Sequence, residues 1–102
     1  MNKAEISAIP DMQALRAAID ALDLRLAGLL AERTLLIDRA AQIKAGAGLL
    51  ARIDERVEEV VARVRAAAFA AGLDADLAEG LWRDLIEWSI AREARALGER
   101  AK

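Results

Sequence analysis

From Leu15 onward apolar residues return at steps of three and four: Leu15, Ile19, Leu22, Leu26, Leu29 and then Ile37. That is the 3.6-residue period of a helix that buries one face. Pro10 and Asp11 mark its start, after a short polar tail over residues 1–10. No proline interrupts it before the KAGAG run, where Gly46 and Gly48 close it. The pattern predicts a helix of about 35 residues, roughly 50 Å long at 1.5 Å per residue. Two shorter helices follow. RIDERVEEVVARVRAAAFAAG carries Ile53, Val57, Val60, Val64 and Phe69 and stops at Gly72, which suits a left-handed cap. LDADLAEGLWRDLIEWSIAREARALG offers Asp74 or Asp76 as N-cap, with Glu79 three residues after Asp76 to complete a capping box. Its face holds Leu77, Leu81, Leu85, Trp88 and Ser89, and Gly98 ends it. No stretch reads as a strand, a glycine-rich phosphate loop or a repeat. The expectation is an all-α fold with three helices per chain, one very long and two shorter. They form one domain over residues 11–98, followed by a C-terminal tail at 99–102.

The length of the first helix carries a consequence. A compact domain of this size has a radius of gyration of only ~13 Å. A helix of that length leaves its own monomer with the seam exposed to water. A second copy of the chain is expected to cover it, which makes the assembly a helical homodimer.

Composition narrows the chemistry. Lys and Arg number 15 against 17 Asp and Glu, a net charge of −2, and Phe69, Trp82 and Trp88 are the only aromatics. Nucleic acid wants a basic face and stacking rings, so no nucleic-acid partner is expected. The chain has no cysteine and no histidine. Disulfides, thiolate nucleophiles, the commonest metal ligands and the commonest general base near neutral pH are therefore absent. Chemistry must run on Arg, Lys, Ser, Asp, Glu or backbone groups, and no cofactor or metal is required. The opening MNKAEISAIPD lacks the apolar core of a signal peptide, and no run approaches the ~20 apolar residues of a membrane span. A cytoplasmic protein without a membrane partner is the expectation.

Polar residues on the inner faces are the candidates for function. Arg33 and Lys44 are eleven residues apart, within about 20° of three full turns, so they share one azimuth ~16 Å apart. Two extended cations at that spacing can grip opposite ends of a small dianion. Two like charges on a buried line also need an anion between them, or a costly desolvation follows. Arg16 lies about 25 Å before Arg33 and about 100° around the axis, so it reaches such a ligand only in the partner's site. Arg56 sits at the edge of the second helix's apolar stripe. Ser89 and Glu93 are one turn apart on the third helix and make a polar notch. Taken singly, Arg16, Arg56 or Ser89 reads as a snorkelling side chain or an ordinary surface contact, and Glu93 as the partner of a neighbouring arginine.

LRAAIDALDLRLAGLLAERTLLIDRAAQIK, then ARIDERV, then GLDADLAEGLWRDLIEWSIARE resembles the all-helical chorismate mutases, small proteins that form an intertwined homodimer. The resemblance covers roughly residues 11 to 97. It implies that Arg16 is donated across the dimer, that Arg33 holds a substrate carboxylate and that Lys44 sits near the ether oxygen of the breaking bond. It implies further that Arg56 lies near the substrate ring, that Ser89 helps to bind a carboxylate, and that Glu93 faces the ether oxygen. The implied catalytic set is Lys44, Glu93 and Arg33. The implied ligand is chorismate, a small dicarboxylate, and the implied product is prephenate, in aromatic amino-acid biosynthesis.

The reaction so implied is a concerted pericyclic shift without obligatory proton transfer, so a chain without His or Cys loses nothing. Confinement of the reactive chair and donors to the ether oxygen supply the rate. An ionised Glu93 would repel the charge growing there, so it must donate as the neutral acid, and turnover should decline as pH rises through its titration. Two departures stand out. Many members carry Glu where this chain has Val57, and an upstream aspartate of those members is replaced by Ile53. The related isochorismate-pyruvate lyases share the fold and the cationic site, also carry an apolar residue at the Val57 position, and resemble the GLDADLAEGLWRDLIEW segment. Ser89 fits the mutases better. A non-catalytic dimerisation module is the third reading, although such a scaffold has no need for Arg16, Arg33 and Lys44 together.

Overall fold

Among the described residues four helices form, one more than the apolar period predicts: α1 (Lys3–Ser7), α2 (Met12–Ala47), α3 (Asp54–Ala71) and α4 (Ala75–Leu97). The computed structural model describes residues 1–99. Arg100 to Lys102, most of the expected C-terminal tail, lie outside the described residues. The additional helix is a single turn too short to show a period, and local capping makes it. Asn2 Oδ1 accepts from the Glu5 N–H at 2.8 Å, and the Glu5 carboxylate accepts in return from the Asn2 N–H at 3.3 Å.

The long helix spans 36 residues without a break. Asp11 starts it, its Oδ1 accepting from the Ala14 N–H at 2.8 Å. At its end Gly48 adopts a φ of 69°, and the Leu49 N–H returns to the Lys44 carbonyl at 3.0 Å. Gly72 and Gly98 end α3 and α4 in the same left-handed manner, with φ of 77° and 72°. Asp74 caps α4 through the Asp76 and Leu77 N–H groups. The alternative box between Asp76 and Glu79 does not form, because both side chains turn to Arg65 instead. α3 begins two residues later than its sequence pattern starts, at Asp54. Ile53 is its N-cap and offers no side-chain acceptor, so the Asp54 and Glu55 carboxylates in the first turn complement the helix dipole.

Two compact units divide the chain, Met1–Arg33 and the part from Thr34 onward. In the first, no described residue is buried, and Ile19, Leu22, Leu26 and Leu29 are half-exposed or more. In the second, α3 and α4 pack as a hairpin around Val61, Ala68, Ala78 and Ile86, with Ala41 from the end of α2 and Ala51 from the α2–α3 loop also buried. Ala68 and Ala78 keep side-chain bulk low at part of this contact, and Val61 and Ile86 fill the rest. Arginine–carboxylate pairs flank the hairpin. Arg83 binds Glu58 across the helices and Glu79 along α4, while Arg65 reaches Asp76 and Glu79.

The buried faces correct the sequence reading at four large residues. Phe69 is 84% exposed, and Leu77, Leu81 and Trp88 are each about half-exposed. On α4 the residues Ala78, Trp82, Ile86, Ser89 and Glu93 fall within about 80° of one another, whereas Leu77, Leu81 and Trp88 form a second line about 120° away. The helix has two apolar faces: the one with Ala78 and Ile86 is buried, and the one with Leu77, Leu81 and Trp88 is about half-exposed.

Candidate functional site

Lys44 stands in the last turn of α2, where a cation complements the negative end of the helix dipole. Its ammonium meets two partners. It donates to the Ala51 carbonyl at 2.8 Å, and it lies 2.8 Å from Glu93 Oε1. The second contact is an ion pair by distance but not by alignment: Glu93 Oε1 is buried and accepts no well-directed hydrogen bond among the described residues. It is a charge pair whose oxygen keeps a lone pair available. The burial is uneven, with 18% of the Lys44 side chain accessible against 5% of the Glu93 side chain.

α4 supplies the opposing wall. Ser89 and Glu93, one turn apart, are the only buried polar residues among those described. The Ser89 hydroxyl donates to the Leu85 carbonyl one turn back, at 2.7 Å. Nearby, Arg92 donates through Nε to Asp38 Oδ1 at 2.6 Å and through a terminal nitrogen to Oδ2 at 3.0 Å. Its guanidinium also lies 5.5 Å from the Trp88 ring centroid. That hydrogen-bonded guanidinium holds the Asp38 carboxyl below its usual range, with the charge attraction adding to the effect and burial opposing it. The pair ties the second half of α2 to α4 one to two turns before Lys44. A further pair, Arg52 with Glu87, ties the loop to the same helix.

Of the six residues selected from sequence, the second unit therefore brings three together: Lys44, Ser89 and Glu93. Arg56 is in that unit too, but it is exposed on α3 and paired with Glu59 along its own helix. Arg16 and Arg33 belong to the first unit, Arg16 exposed and Arg33 partly buried.

Two participants carried no signal in the sequence. One is the Ala51 carbonyl, a backbone group on a loop. The other is Glu99, whose Oε2 accepts from the Ala51 N–H at 2.8 Å across 48 positions of sequence. An open apolar pocket of about 210 Å³ lies near the α3–α4 turn, lined by Val64, Ala67, Ala68, Ala71, Leu73, Ala78 and Trp82. It contains no titratable group and none of the selected residues. Among the described residues no three Asp or Glu side chains gather to hold a metal ion, and no helix is long and apolar enough to cross a membrane.

Chemically, the Lys44–Glu93 wall offers an ammonium with three N–H groups, one of them committed to a carbonyl. Beside it lies a carboxyl able to donate once protonated. Such a pair can serve a ligand oxygen without a redox centre or a nucleophile. A family model described as chorismate mutase type II matches residues 15–94, a span that contains all six selected residues.

Proposed function

The chain belongs to the type II chorismate mutase family, and from that premise we propose that it is a chorismate mutase that converts chorismate to prephenate as a homodimer. The observation that carries this reading is the buried contact between Lys44 and Glu93, 2.8 Å apart, with buried Ser89 one turn away on α4. These are the positions at which the family resemblance expects donors to the ether oxygen and a carboxylate ligand. In the proposed complex the ether oxygen accepts one N–H from Lys44 and the O–H of a protonated Glu93. Arg33 grips one substrate carboxylate, Arg56 approaches the ring, and Arg16 comes from the second protomer. Ser89 binds a carboxylate only by turning its hydroxyl away from Leu85, a cost that the charge-assisted bond offsets.

Support for the second copy comes from the first unit. A helical segment that buries no described residue gains nothing from tertiary packing within its unit, and in proteins such packing supplies most of a helix's stability. Leu22, Leu26 and Leu29 are 50%, 50% and 60% exposed. Covering them with the same segment of a partner gives that helix a core and delivers Arg16 to the other site.

Val57 favours a second reading, isochorismate-pyruvate lyase, because an apolar residue stands where many mutases carry Glu. Two assays on the purified protein decide. Loss of chorismate absorbance with prephenate formation supports the mutase. Salicylate fluorescence from isochorismate, without chorismate turnover, replaces it with the lyase. Turnover of neither substrate overturns both and leaves a helical dimerisation module.

A further inference from the structure

The α2–α3 loop is held unusually firmly at one residue. Ala51 is 3% exposed although it lies outside any helix. Its N–H is taken by Glu99 Oε2 and its C=O by Lys44 Nζ, each at 2.8 Å. The N–H and the C=O belong to the two peptide planes flanking the Ala51 Cα. Two bonds of this kind therefore fix both planes, and with them the direction in which the carbonyl points.

The far end of the connection is equally determined. Gly98 turns the chain with a φ of 72°, its N–H returning to the Arg95 carbonyl at 3.2 Å and that of Glu99 to the Ala94 carbonyl at 2.9 Å. This double closure sets the position of the Glu99 backbone, from which the carboxylate crosses to the loop. At the near end the loop also closes on Lys44 itself, since the Leu49 N–H donates to the Lys44 carbonyl at 3.0 Å. A lysine has a long, flexible stem. Held only by Glu93, through a contact that is poorly aligned, its ammonium has a wide choice of positions. The Ala51 carbonyl removes that choice, and Glu99 holds the carbonyl.

We propose that Glu99 is a positioning residue for Lys44, acting through the backbone of Ala51. The proposal rests on the mutase reading only in supposing that the Lys44 ammonium serves the transition state; the mechanical connection does not depend on the substrate. What Glu99 contributes is an acceptor at a fixed reach. Its charge strengthens that bond, but a neutral amide oxygen in the same place still accepts the backbone N–H and holds the same reach.

Three variants test this on the purified protein with chorismate. Glu99→Gln keeps the acceptor and the reach, so its kcat stays within about twofold of the parent's. Glu99→Asp keeps the charge but withdraws the oxygen by one methylene, and Glu99→Ala removes it. Both lower kcat about tenfold or more with little change in KM, the cost of misplacing a group by about an ångström. In a Lys44→Ala background Glu99→Ala costs nothing further, since there is no ammonium left to position. Independently of turnover, hydrogen exchange at the Ala51 amide accelerates in Glu99→Asp and Glu99→Ala but not in Glu99→Gln, and the Lys44 Nζ resonance shifts in the same two variants only.

Equal impairment of Gln, Asp and Ala variants overturns the proposal, because charge or general stability is then the cause. So does a faster Ala51 exchange with kcat and the Lys44 resonance unchanged. An unmodified protein that turns over neither chorismate nor isochorismate removes the functional reading instead. The exchange and resonance measurements then still decide whether Glu99 positions Lys44. Should Glu99→Ala fail to fold, the contrast between Gln and Asp separates the same two outcomes.

Discussion

Removing either member of the Lys44–Glu93 pair should cost stability, and the two costs should be unequal in a direction set by burial. Glu93 keeps 5% of its side chain accessible and Lys44 keeps 18%. Lys44→Met leaves a carboxylate in a site that water barely reaches, with no aligned donor on Oε1 among the described residues. Loss of one partner from a buried pair costs about 3–5 kcal/mol. Glu93→Gln leaves a lysine that still donates to the Ala51 carbonyl and retains a path to solvent, and the new amide fills the same volume. That change resembles the loss of one ordinary hydrogen bond, about 1 kcal/mol. The double variant Lys44→Met/Glu93→Gln contains no charge to strand, so it should be less destabilised than Lys44→Met alone.

Urea titration followed by the fluorescence of Trp82 and Trp88 measures the differences directly. Protein concentration must be held equal, since association of copies makes apparent stability depend on it. The comparison rests on midpoints with an unchanged slope. Glu93→Gln as damaging as Lys44→Met, or a double variant worse than either, would refute the claim that the buried carboxylate is the costly member. The activity of the same variants orders differently. Lys44→Met should lose on the order of 10²-fold or more in kcat, as for other donors preorganised toward a developing anion.

Three further outcomes follow from the same geometry. Under the proposed mechanism Glu93→Gln keeps a donor toward the ether oxygen and Glu93→Ala does not, so the alanine variant should lose about tenfold or more in kcat relative to the glutamine variant; equal kcat in the two would remove the donor role. Acid should also weaken the fold. Arg92 holds Asp38 low, Arg83 holds Glu58 and, with Arg65, Glu79 low, and Arg52 holds Glu87 low. The unfolded chain therefore takes up protons first, and the contribution of these pairs is essentially complete above about pH 5 and is lost as pH falls through the depressed folded values. Urea midpoints that stay constant from neutral pH to pH 3 would contradict this. Finally, Leu26→Glu places a charge on the uncovered α2 face, so sedimentation should show the proposed dimer dissociating or unfolding, while an unchanged dimer would move the interface elsewhere.

Helices were legible in the sequence because their signals are local. The apolar period, Asp11, Asp74 and three glycines at left-handed φ give boundaries that need no knowledge of the rest of the chain. Which face a helix buries is not local. The sequence reading placed Phe69, Leu77, Leu81 and Trp88 on the buried faces of α3 and α4, whereas Val61, Ala68, Ala78 and Ile86 are the apolar residues buried there. Ala68 is 5% exposed, and Phe69, one residue on and about 100° around the helix, is 84% exposed. Hydrophobicity ranks Phe above Ala, but a close α3–α4 contact selects for volume, and nothing in a single helix's sequence says how close its neighbour lies. Leu77, Leu81 and Trp88 are apolar for a surface that the chain does not cover itself, so one helix carries two overlapping patterns that periodicity cannot separate.

The site divides along the same line. Lys44, Ser89 and Glu93 were selected because a polar residue on an otherwise apolar line stands out against its own helix. Ala51 and Glu99 stand out against nothing: one is an alanine in a loop, the other a glutamate beyond a helix cap, and their bond joins positions 48 residues apart. Asp38 and Arg92 are joined across 54 in the same way. A sequence pattern therefore identifies the groups that face a ligand more readily than the groups that hold them in place. In a site whose chemistry is positioning and charge, the second set governs rate as directly as the first. An ammonium displaced by an ångström is still an ammonium to any reading of the sequence, but it no longer meets the oxygen on which charge develops.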